Sequence, residues 1–395
     1  MARNKILFTK RSNANLCYSL IPNIVAVNSQ LSQNLNDIAH EFVILSCDRN
    51  KQLFNLELNT VVTASKTFTE EFLENGFVIA EGVLDPETVL DPIINEYHGV
   101  LDRLASELYE TGKISSKFES LSFDERLIKI YQETGQAHNQ YFDFSLPFQD
   151  VKEDTPFWAG PAVFNAFTNE KLLDRVEQLI GPEIYSNPVQ HVRIKPPEKH
   201  LPTDDLGMPV IGATVWHQDH GVVTEEADET NMITTWFSLT DTPVESGPLR
   251  VVPGSHRDGL LTHCNDYEGN GPEFKGRQIP ERLFENDEAV PLPTRRGDVV
   301  FLHRQLVHGS LPNVGDNIRW SFDLRYNPTG QNTGRKAFPG FVARSRTNPD
   351  SELRDPVKWH QMWSDTRTRM ARINQAGTDE IPFSRWEDGH PDCEM

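Results

Sequence analysis

From Tyr185 onward the chain is a series of short apolar segments separated by turns, and this pattern restricts the fold more than any other feature. Residue pairs such as Pro196-Pro197 and Pro253-Gly254 mark the turns. Many short strands at this spacing are typical of two packed antiparallel sheets. We therefore predict a mainly β fold with flanking helices and a double-stranded β-helix core of the jelly-roll, cupin-like kind. The predicted strands are 187–195, 210–217, 231–240, 248–253, 298–302, 305–309 and 317–326.

Helical signals come before and after these strands. Thr67–Glu70 has the form of a capping box, a long amphipathic helix is expected to start at Asp85-Pro86, and a further helix is predicted over 358–373. The 259–290 insert is too long for a hairpin loop and is interpreted as a lid or an irregular excursion. The predicted organisation is an N-terminal extension of unclear structure (1–64), a main domain (65–330) with a helical part (65–184) and a jelly-roll core (185–330), and a polar, helical C-terminal extension (331–395).

The net charge of the chain limits the classes of partner that it can bind. With 38 basic and 58 acidic residues the formal net charge is −20, which argues against non-specific binding to nucleic acid or anionic membranes. No apolar run approaches the roughly 20 residues that span a bilayer. The expected partners are therefore a small-molecule substrate and, at most, a second copy of the chain in a homodimer.

The four cysteines are widely scattered and form no Cys-x-x-Cys pair. This usage indicates a reducing compartment and no disulfide framework. A cytoplasmic location is expected on that basis. An organellar matrix is the alternative, because Arg3, Lys5, Lys10 and Arg11 precede the first acidic residue, Asp37.

His217 and Asp219 are candidate metal ligands. They stand two residues apart at the end of the predicted strand 210–217, so both side chains would project from one face of that strand. An imidazole and a carboxylate so placed form two-thirds of a facial site that leaves three neighbouring coordination positions open, as non-haem Fe(II) oxygenases require. We expect the third ligand to be His308, on a strand that returns alongside.

The His-x-Asp pattern occurs three times, so the pattern alone has little weight. His256 follows a Pro-Gly-Ser turn, and His390 lies in a polar segment between Gly389 and Pro391. His217 instead closes an apolar run that predicts a buried strand. The first occurrence is therefore the candidate.

The predicted strand 317–326 alternates strictly between polar and apolar side chains. One face carries Arg319, Ser321, Asp323 and Arg325. Such a face normally meets water, but in a barrel that holds a ligand it can look inward. Arg319 would then place a guanidinium beside the metal, suited to a two-pronged grip on a carboxylate. Ser310, on the same face as His308, could donate a further hydrogen bond.

These motifs together resemble the phytanoyl-CoA dioxygenase family of Fe(II)- and 2-oxoglutarate-dependent oxygenases. The resemblance covers about residues 65–330 and follows the family's order of motifs. The matching residues are Lys195-Pro196-Pro197, Trp216-His217-Gln218-Asp219, Trp236, Gly247–His256, His308-Gly309-Ser310 and Arg319.

The resemblance implies that His217, Asp219 and His308 are the catalytic iron ligands. It also implies that Arg319 and Ser310 bind the distal carboxylate of 2-oxoglutarate, with Trp236 as a wall of that site. Gln190 and His191 fall where the family places another co-substrate contact. The implied cofactors are Fe(2+), 2-oxoglutarate and O2, and the implied products include succinate and CO2.

Several functions remain open from the sequence. Asp219 stands where related halogenases have a small residue, which favours hydroxylation or another oxidation over halogenation. The leading hypothesis is hydroxylation of a small organic metabolite. Desaturation, ring closure or epimerisation would use the same residues. The alternatives are an acyl-CoA 2-hydroxylase of the phytanoyl-CoA type, which the acidic balance disfavours, and a non-catalytic metal-binding jelly-roll module. Arg325 is a candidate substrate contact, or it forms a buried ion pair with Asp323.

Overall fold

The computed structural model describes residues 66–147, 149–205, 207–265, 277–376, 385–386 and 389–394. The predicted N-terminal extension and the middle of the 259–290 insert lie outside these residues, and the domain bounds stay a prediction. Two antiparallel sheets face each other, one of six strands in the order β1-β6-β3-β8-β2-β9 and one of three in the order β5-β4-β7. The strands are β1 Phe77–Ala80, β2 Glu183–Lys195, β3 Ile233–Ser238, β4 Leu249–Val251, β5 Val290–Leu292, β6 Val299–His303, β7 His308–Ser310, β8 Arg319–Pro328 and β9 Phe341–Ser345. The predicted jelly-roll fold is confirmed.

Most helices begin and end where the sequence signals indicate, but the long helix expected to start at Asp85-Pro86 opens with a π-helical turn, Pro86–Leu90, and is α-helical only from Asp91. Thr67 caps the first helix through the predicted capping box, and Ser122 caps another in the same way. Asn169 starts a helix that ends at Gly181, and the helix predicted over 358–373 is present with slightly wider bounds. The helices are α1 Phe68–Asn75, α2 Asp91–Glu110, α3 Phe123–Thr134, α4 Asn139–Phe142, α5 Pro161–Phe167, α6 Glu170–Ile180 and α7 Pro356–Ala376.

Helices cover the outer face of the six-stranded sheet. The apolar side of β8 supplies Trp320 and Phe322, which pack against aromatic side chains of the helical part. Trp359 of α7 is fully buried against Phe144 and Phe167. Because apolar surface on this side is already removed from water, the opposite side of the same strand is free to carry charged groups.

The polar face of β8 therefore looks inward, between the two sheets. Arg319, Asp323 and Arg325 all line a pocket there, together with residues of the three-stranded sheet. All three side chains are almost completely removed from solvent. The alternation seen in the sequence thus separates an apolar face of β8, which packs against helices, from a charged face, which lines the pocket.

The strand predicted over 210–217 is wrong. The structure has an isolated bridge between His217 and His308, and Asp219 begins a short 3₁₀ turn, Asp219–Val222. The segment bonds to β7 through the mutual backbone bonds of His217 and His308 and through the Thr214 carbonyl oxygen, while the Gly212 carbonyl oxygen accepts from the Lys195 amine at 2.8 Å. The two backbones nevertheless run very close: a Cβ on Gly309 would lie 2.7 Å from the Thr214 carbonyl oxygen.

The expectation of no disulfide is also wrong, because Cys264 and Cys393 are bonded to each other. Their Cα atoms lie 5.5 Å apart although 129 residues separate them in sequence. Spacing alone could not predict a pair whose partners meet only through tertiary folding. The argument from cysteine usage to a reducing compartment loses its basis. Within the described ranges, no helix combines the length and apolar character needed to cross a bilayer.

A pair of glycines should respond oppositely to alanine. Gly297 is buried with φ +99°, and an added Cβ would lie 2.5 Å from the Leu84 carbonyl oxygen, so Gly297→Ala should lower the free energy of unfolding by more than about 1 kcal/mol. Gly99 is exposed within α2 and nothing lies near an added Cβ, so Gly99→Ala should raise it by about 0.5–1 kcal/mol. Urea unfolding of both variants measures the difference; equal effects would contradict the placement of these glycines.

Candidate metal centre

Three side chains from two segments of the chain converge between the sheets. His217 stands before the 3₁₀ turn, Asp219 begins that turn, and His308 begins β7. One potential ligand atom from each lies within 4.8 Å of the others, and in the described part of the chain this is the single group of His, Cys, Asp or Glu with that property. Each imidazole Nε2 lies 3.8 Å from a carboxylate oxygen of Asp219. Two nitrogens and one oxygen so arranged fit a facial metal site.

Both imidazoles are held in the form that binds a metal. The Nδ1–H of His217 donates to the Val215 carbonyl oxygen, and that of His308 donates to the Leu306 carbonyl oxygen, each at 2.9 Å. These bonds leave the lone pair of each Nε2 free to face the space between the three side chains. Burial, reinforced by the neighbouring His308, lowers the pKa of His217 to about 3. The ring of His217 is therefore neutral and available as a ligand.

The carboxylate of Asp219 is fixed from two sides. Arg325 donates to one oxygen and the Thr234 hydroxyl donates to the other. Burial alone would raise the pKa of Asp219, but the adjacent Arg325 guanidinium brings it below its usual range. The group is fully buried and ionised, so its orientation is set before any ligand arrives.

Arg319 presents unsatisfied hydrogen-bond donors to the same pocket. Its Nη1 donates to Ser321 at 3.2 Å, while Nε and Nη2 have no partner among the described residues. Burial lowers the pKa of this guanidinium to about 9. The Cζ atom of Arg319 lies 5.8 Å from the centre of the Trp236 ring. A buried cation with free donors is costly unless an anion binds it, so the pocket fits a ligand with a carboxylate.

Lys195 is a site residue that the sequence reasoning used only as part of a family motif. Its amine bonds to Ser310 Oγ at 3.0 Å and to Thr214 Oγ1 at 2.9 Å. Burial, with Arg319 nearby, puts the pKa of Lys195 well below its ordinary value. The signal was present: His191, Arg193 and Lys195 alternate with apolar residues on β2, as the polar residues do on β8.

Two of the residues predicted to contact the co-substrate, Gln190 and His191, lie away from the pocket lining. His191 bonds through Nδ1 to Asp143 at 2.8 Å, and Gln190 is buried; neither is among the residues that line the pocket. Arg325 forms the ion pair with Asp323 that the sequence allowed, at 3.1 Å, in addition to its contact with Asp219. Arg325 is therefore bonded to Asp219, a candidate metal ligand, as well as to Asp323. The substrate contact predicted for Arg325 stays a prediction.

Residues 385–386 and 389–394, which we term the strap, back the turn that carries His217 and Asp219. The Trp386 ring stacks on His263 with centres 5.1 Å apart, and its Nε1 donates to the Gly221 carbonyl oxygen at 2.7 Å. His263 in turn accepts the backbone N–H of Gln218, the residue between the two ligands, at 2.9 Å. The disulfide fixes the strap beside His263. The metal turn is therefore supported by a segment remote in sequence.

Comparisons with known proteins point to one family. The family model of phytanoyl-CoA dioxygenase (PhyH) matches residues 72–321. The chain is 34% identical over 90 residues to phytanoyl-CoA dioxygenase domain-containing protein 1 of Rattus norvegicus, covering 22% of this chain and 30% of that protein. It is 25% identical over 281 residues to the peroxisomal phytanoyl-CoA dioxygenase of Homo sapiens, covering 69% of this chain and 70% of that protein.

The extent of these matches differs among relatives. For the rat protein and its counterparts in Dictyostelium discoideum, Mus musculus and Danio rerio, they span 30% to 45% of the relative's length. Among solved structures, the non-heme monooxygenase ThoJ in its apo form gives a TM-score of 0.48 at 17% identity, covering 79% of this chain and 100% of that one.

Removing the disulfide should loosen the strap. Because the bond closes a loop between residues 129 apart, Cys393→Ser should lower the free energy of unfolding by about 2–4 kcal/mol. Urea unfolding under oxidising conditions measures this. Reductant should bring the wild-type protein to the stability of the variant and leave the variant unchanged. Equal midpoints for variant and oxidised wild type would contradict the prediction.

Proposed function

The chain belongs to the phytanoyl-CoA dioxygenase family, and on that premise we propose that it is an Fe(II)- and 2-oxoglutarate-dependent dioxygenase. We infer that it hydroxylates a small organic metabolite with release of succinate and CO2. The observation that carries this proposal is the buried guanidinium of Arg319, with unpartnered donors, in the pocket of the His217, Asp219 and His308 group. A module that only held a metal would have no use for that cation.

When bound, Fe(II) supplies, with 2-oxoglutarate and O2, the oxidising chemistry of the reaction. The chain's task is to hold and orient the reactants. His217 and His308 each offer Nε2, because Nδ1 bonds to a backbone carbonyl oxygen, and Asp219 offers a carboxylate whose position Thr234 and Arg325 fix. Preset ligands of this kind cost no reorganisation when the metal enters.

The co-substrate's distal carboxylate has a matching receptor. Arg319 would bind it through the free N–H groups of its guanidinium, and Ser310, already bonded to Lys195, would add a hydrogen bond. Trp236, Leu249 and Leu302 contribute apolar surface to the pocket lining. Low-dielectric surroundings of this kind strengthen each of these electrostatic contacts.

Anaerobic reconstitution tests the assignment. Purified protein with Fe(II) and 2-oxoglutarate should give a weak visible charge-transfer band, and air should then yield succinate, slowly without a substrate. Asp219→Ala should lose both signals because the metal loses its anionic ligand, whereas Asp350→Ala, at an exposed position, should keep both. Protein that binds Zn(II) but never forms the band would instead be a non-catalytic metal-binding module.

Arg319 should control affinity for the co-substrate. Arg319→Gln removes a charged donor pair, so the 2-oxoglutarate concentration that gives half of the charge-transfer band should rise by roughly tenfold to a hundredfold. Arg319→Lys should recover part of this loss, since it keeps the charge but not the fork. Arg372→Gln, an exposed change on α7, is the matched control. An unchanged titration in Arg319→Gln would remove this residue from the co-substrate site.

A further inference from the structure

Arg193 is a pocket residue for which the proposed reaction has so far supplied no role. It lies on β2, lines the pocket with Arg319 and Asp323, and keeps 38% of its side chain exposed. Arg319 and Arg325 in the same pocket are almost completely buried. Arg193 therefore stands at the end of the pocket that is open to solvent, where a substrate must enter.

The hydrogen bonding of Arg193 leaves its binding edge free. Its Nε donates to Asp323 Oδ2 at 2.8 Å, and in the described part of the chain this is the one hydrogen bond that the guanidinium makes. The terminal edge, with parallel N–H groups on Nη1 and Nη2, stays unused. That edge matches the two oxygens of a carboxylate.

Asp323 also fixes the direction in which Arg193 points. Its other oxygen accepts from Arg325 Nη1 at 3.1 Å, and Arg325 also holds Asp219. The four groups form a chain of alternating charge from the open end of the pocket to a metal ligand. Asp323 is thus a positioning residue, because it orients Arg193 without itself presenting an attractive group to an anion.

The other cations near the site are already committed. Arg325 bonds to both carboxylates and to the Val189 carbonyl oxygen. The Lys195 amine bonds to Ser310, to Thr214 and to a backbone carbonyl oxygen. Arg319 is assigned to 2-oxoglutarate. Arg193 alone among these groups combines exposure with free donors.

The balance of charged groups in the pocket also favours an anionic substrate. Three guanidiniums, those of Arg193, Arg319 and Arg325, face two carboxylates, Asp219 and Asp323. Fe(II) and the dianionic 2-oxoglutarate cancel each other. One positive charge then remains among these groups, without counting the Lys195 amine, and Arg193 is the most exposed cation of the set. An anionic group on the substrate would neutralise it.

We propose that Arg193 binds the carboxylate of the primary substrate, and that this substrate is a small organic acid. The inference rests on the proposed function, because the charge balance includes iron and 2-oxoglutarate. A neutral metabolite would leave the terminal N–H groups of Arg193 without an anionic partner, because Asp323 accepts from its Nε alone. A phosphate monoester shares the anionic chemistry, so the experiment must separate the two.

Matched pairs of compounds provide the test. Protein loaded anaerobically with Mn(II) and 2-oxoglutarate is screened by thermal shift against carboxylic acids and their primary amides, with phosphate monoesters and acyl-CoAs as further arms. Acids should raise the melting temperature and their amides should not. Calorimetry on the best acid then compares wild type with Arg193→Gln, Arg193→Lys and the control Arg372→Gln.

The expected result is a loss of affinity for the acid of roughly tenfold to a hundredfold in Arg193→Gln, partial recovery in Arg193→Lys and none of this loss in the control. A purely structural role would lower the melting temperature of Arg193→Gln without changing its preference for acid over amide. That outcome overturns the inference.

Other outcomes are equally decisive. Equal binding of acids and amides, a panel in which no carboxylate binds, or selective binding of phosphate esters would each overturn it. If Arg193→Gln does not fold, the Arg193→Lys variant carries the comparison through its loss of the planar fork. Failure of the proposed function is separate, because it would appear as an absent charge-transfer band in wild-type protein with Fe(II) and 2-oxoglutarate.

Discussion

The site depends on holding several ionised groups between two sheets, away from water. Asp219 could not remain a buried carboxylate alone, and Arg325 could not remain a buried guanidinium alone, since each would face a large desolvation cost. The alternation of Arg193, Asp323, Arg325 and Asp219 gives every charge an opposite neighbour. Arg319 lies outside this chain and keeps free donors, which is why it is the part of the interior most clearly built for a ligand.

Much of this arrangement could be predicted from local pattern. The two-residue alternation along 317–326 separates a face that packs on helices from a face that lines the pocket, and the structure keeps that separation in β8. The caps at Thr67 and Asn169 are also local, because a side chain needs only the next turn of backbone to bond to. His217, Asp219 and His308 could be grouped because few residue types and few geometries suit a facial metal site.

The rest depends on contacts that no local pattern contains. The apolar run before His217 has the composition of a strand, but its Gly212 carbonyl oxygen accepts from the Lys195 side chain and not from a neighbouring strand. The bond between Cys264 and Cys393 depends on where the strap crosses the surface. The sequence shows Arg193 as one of three polar residues that alternate along β2. Its orientation, however, depends on Asp323, which lies beside it only because β2 pairs with β8.

The strap has a consequence for how the protein is made. The ribosome delivers residues 385–394 only after every strand of the sandwich has been synthesised, and translation proceeds from the N-terminus at a rate that lets earlier segments collapse first. The Gln218 backbone and His263 therefore gain the support of Trp386 only once that later segment has been synthesised. Support of the metal turn is in this sense among the later steps of biosynthesis.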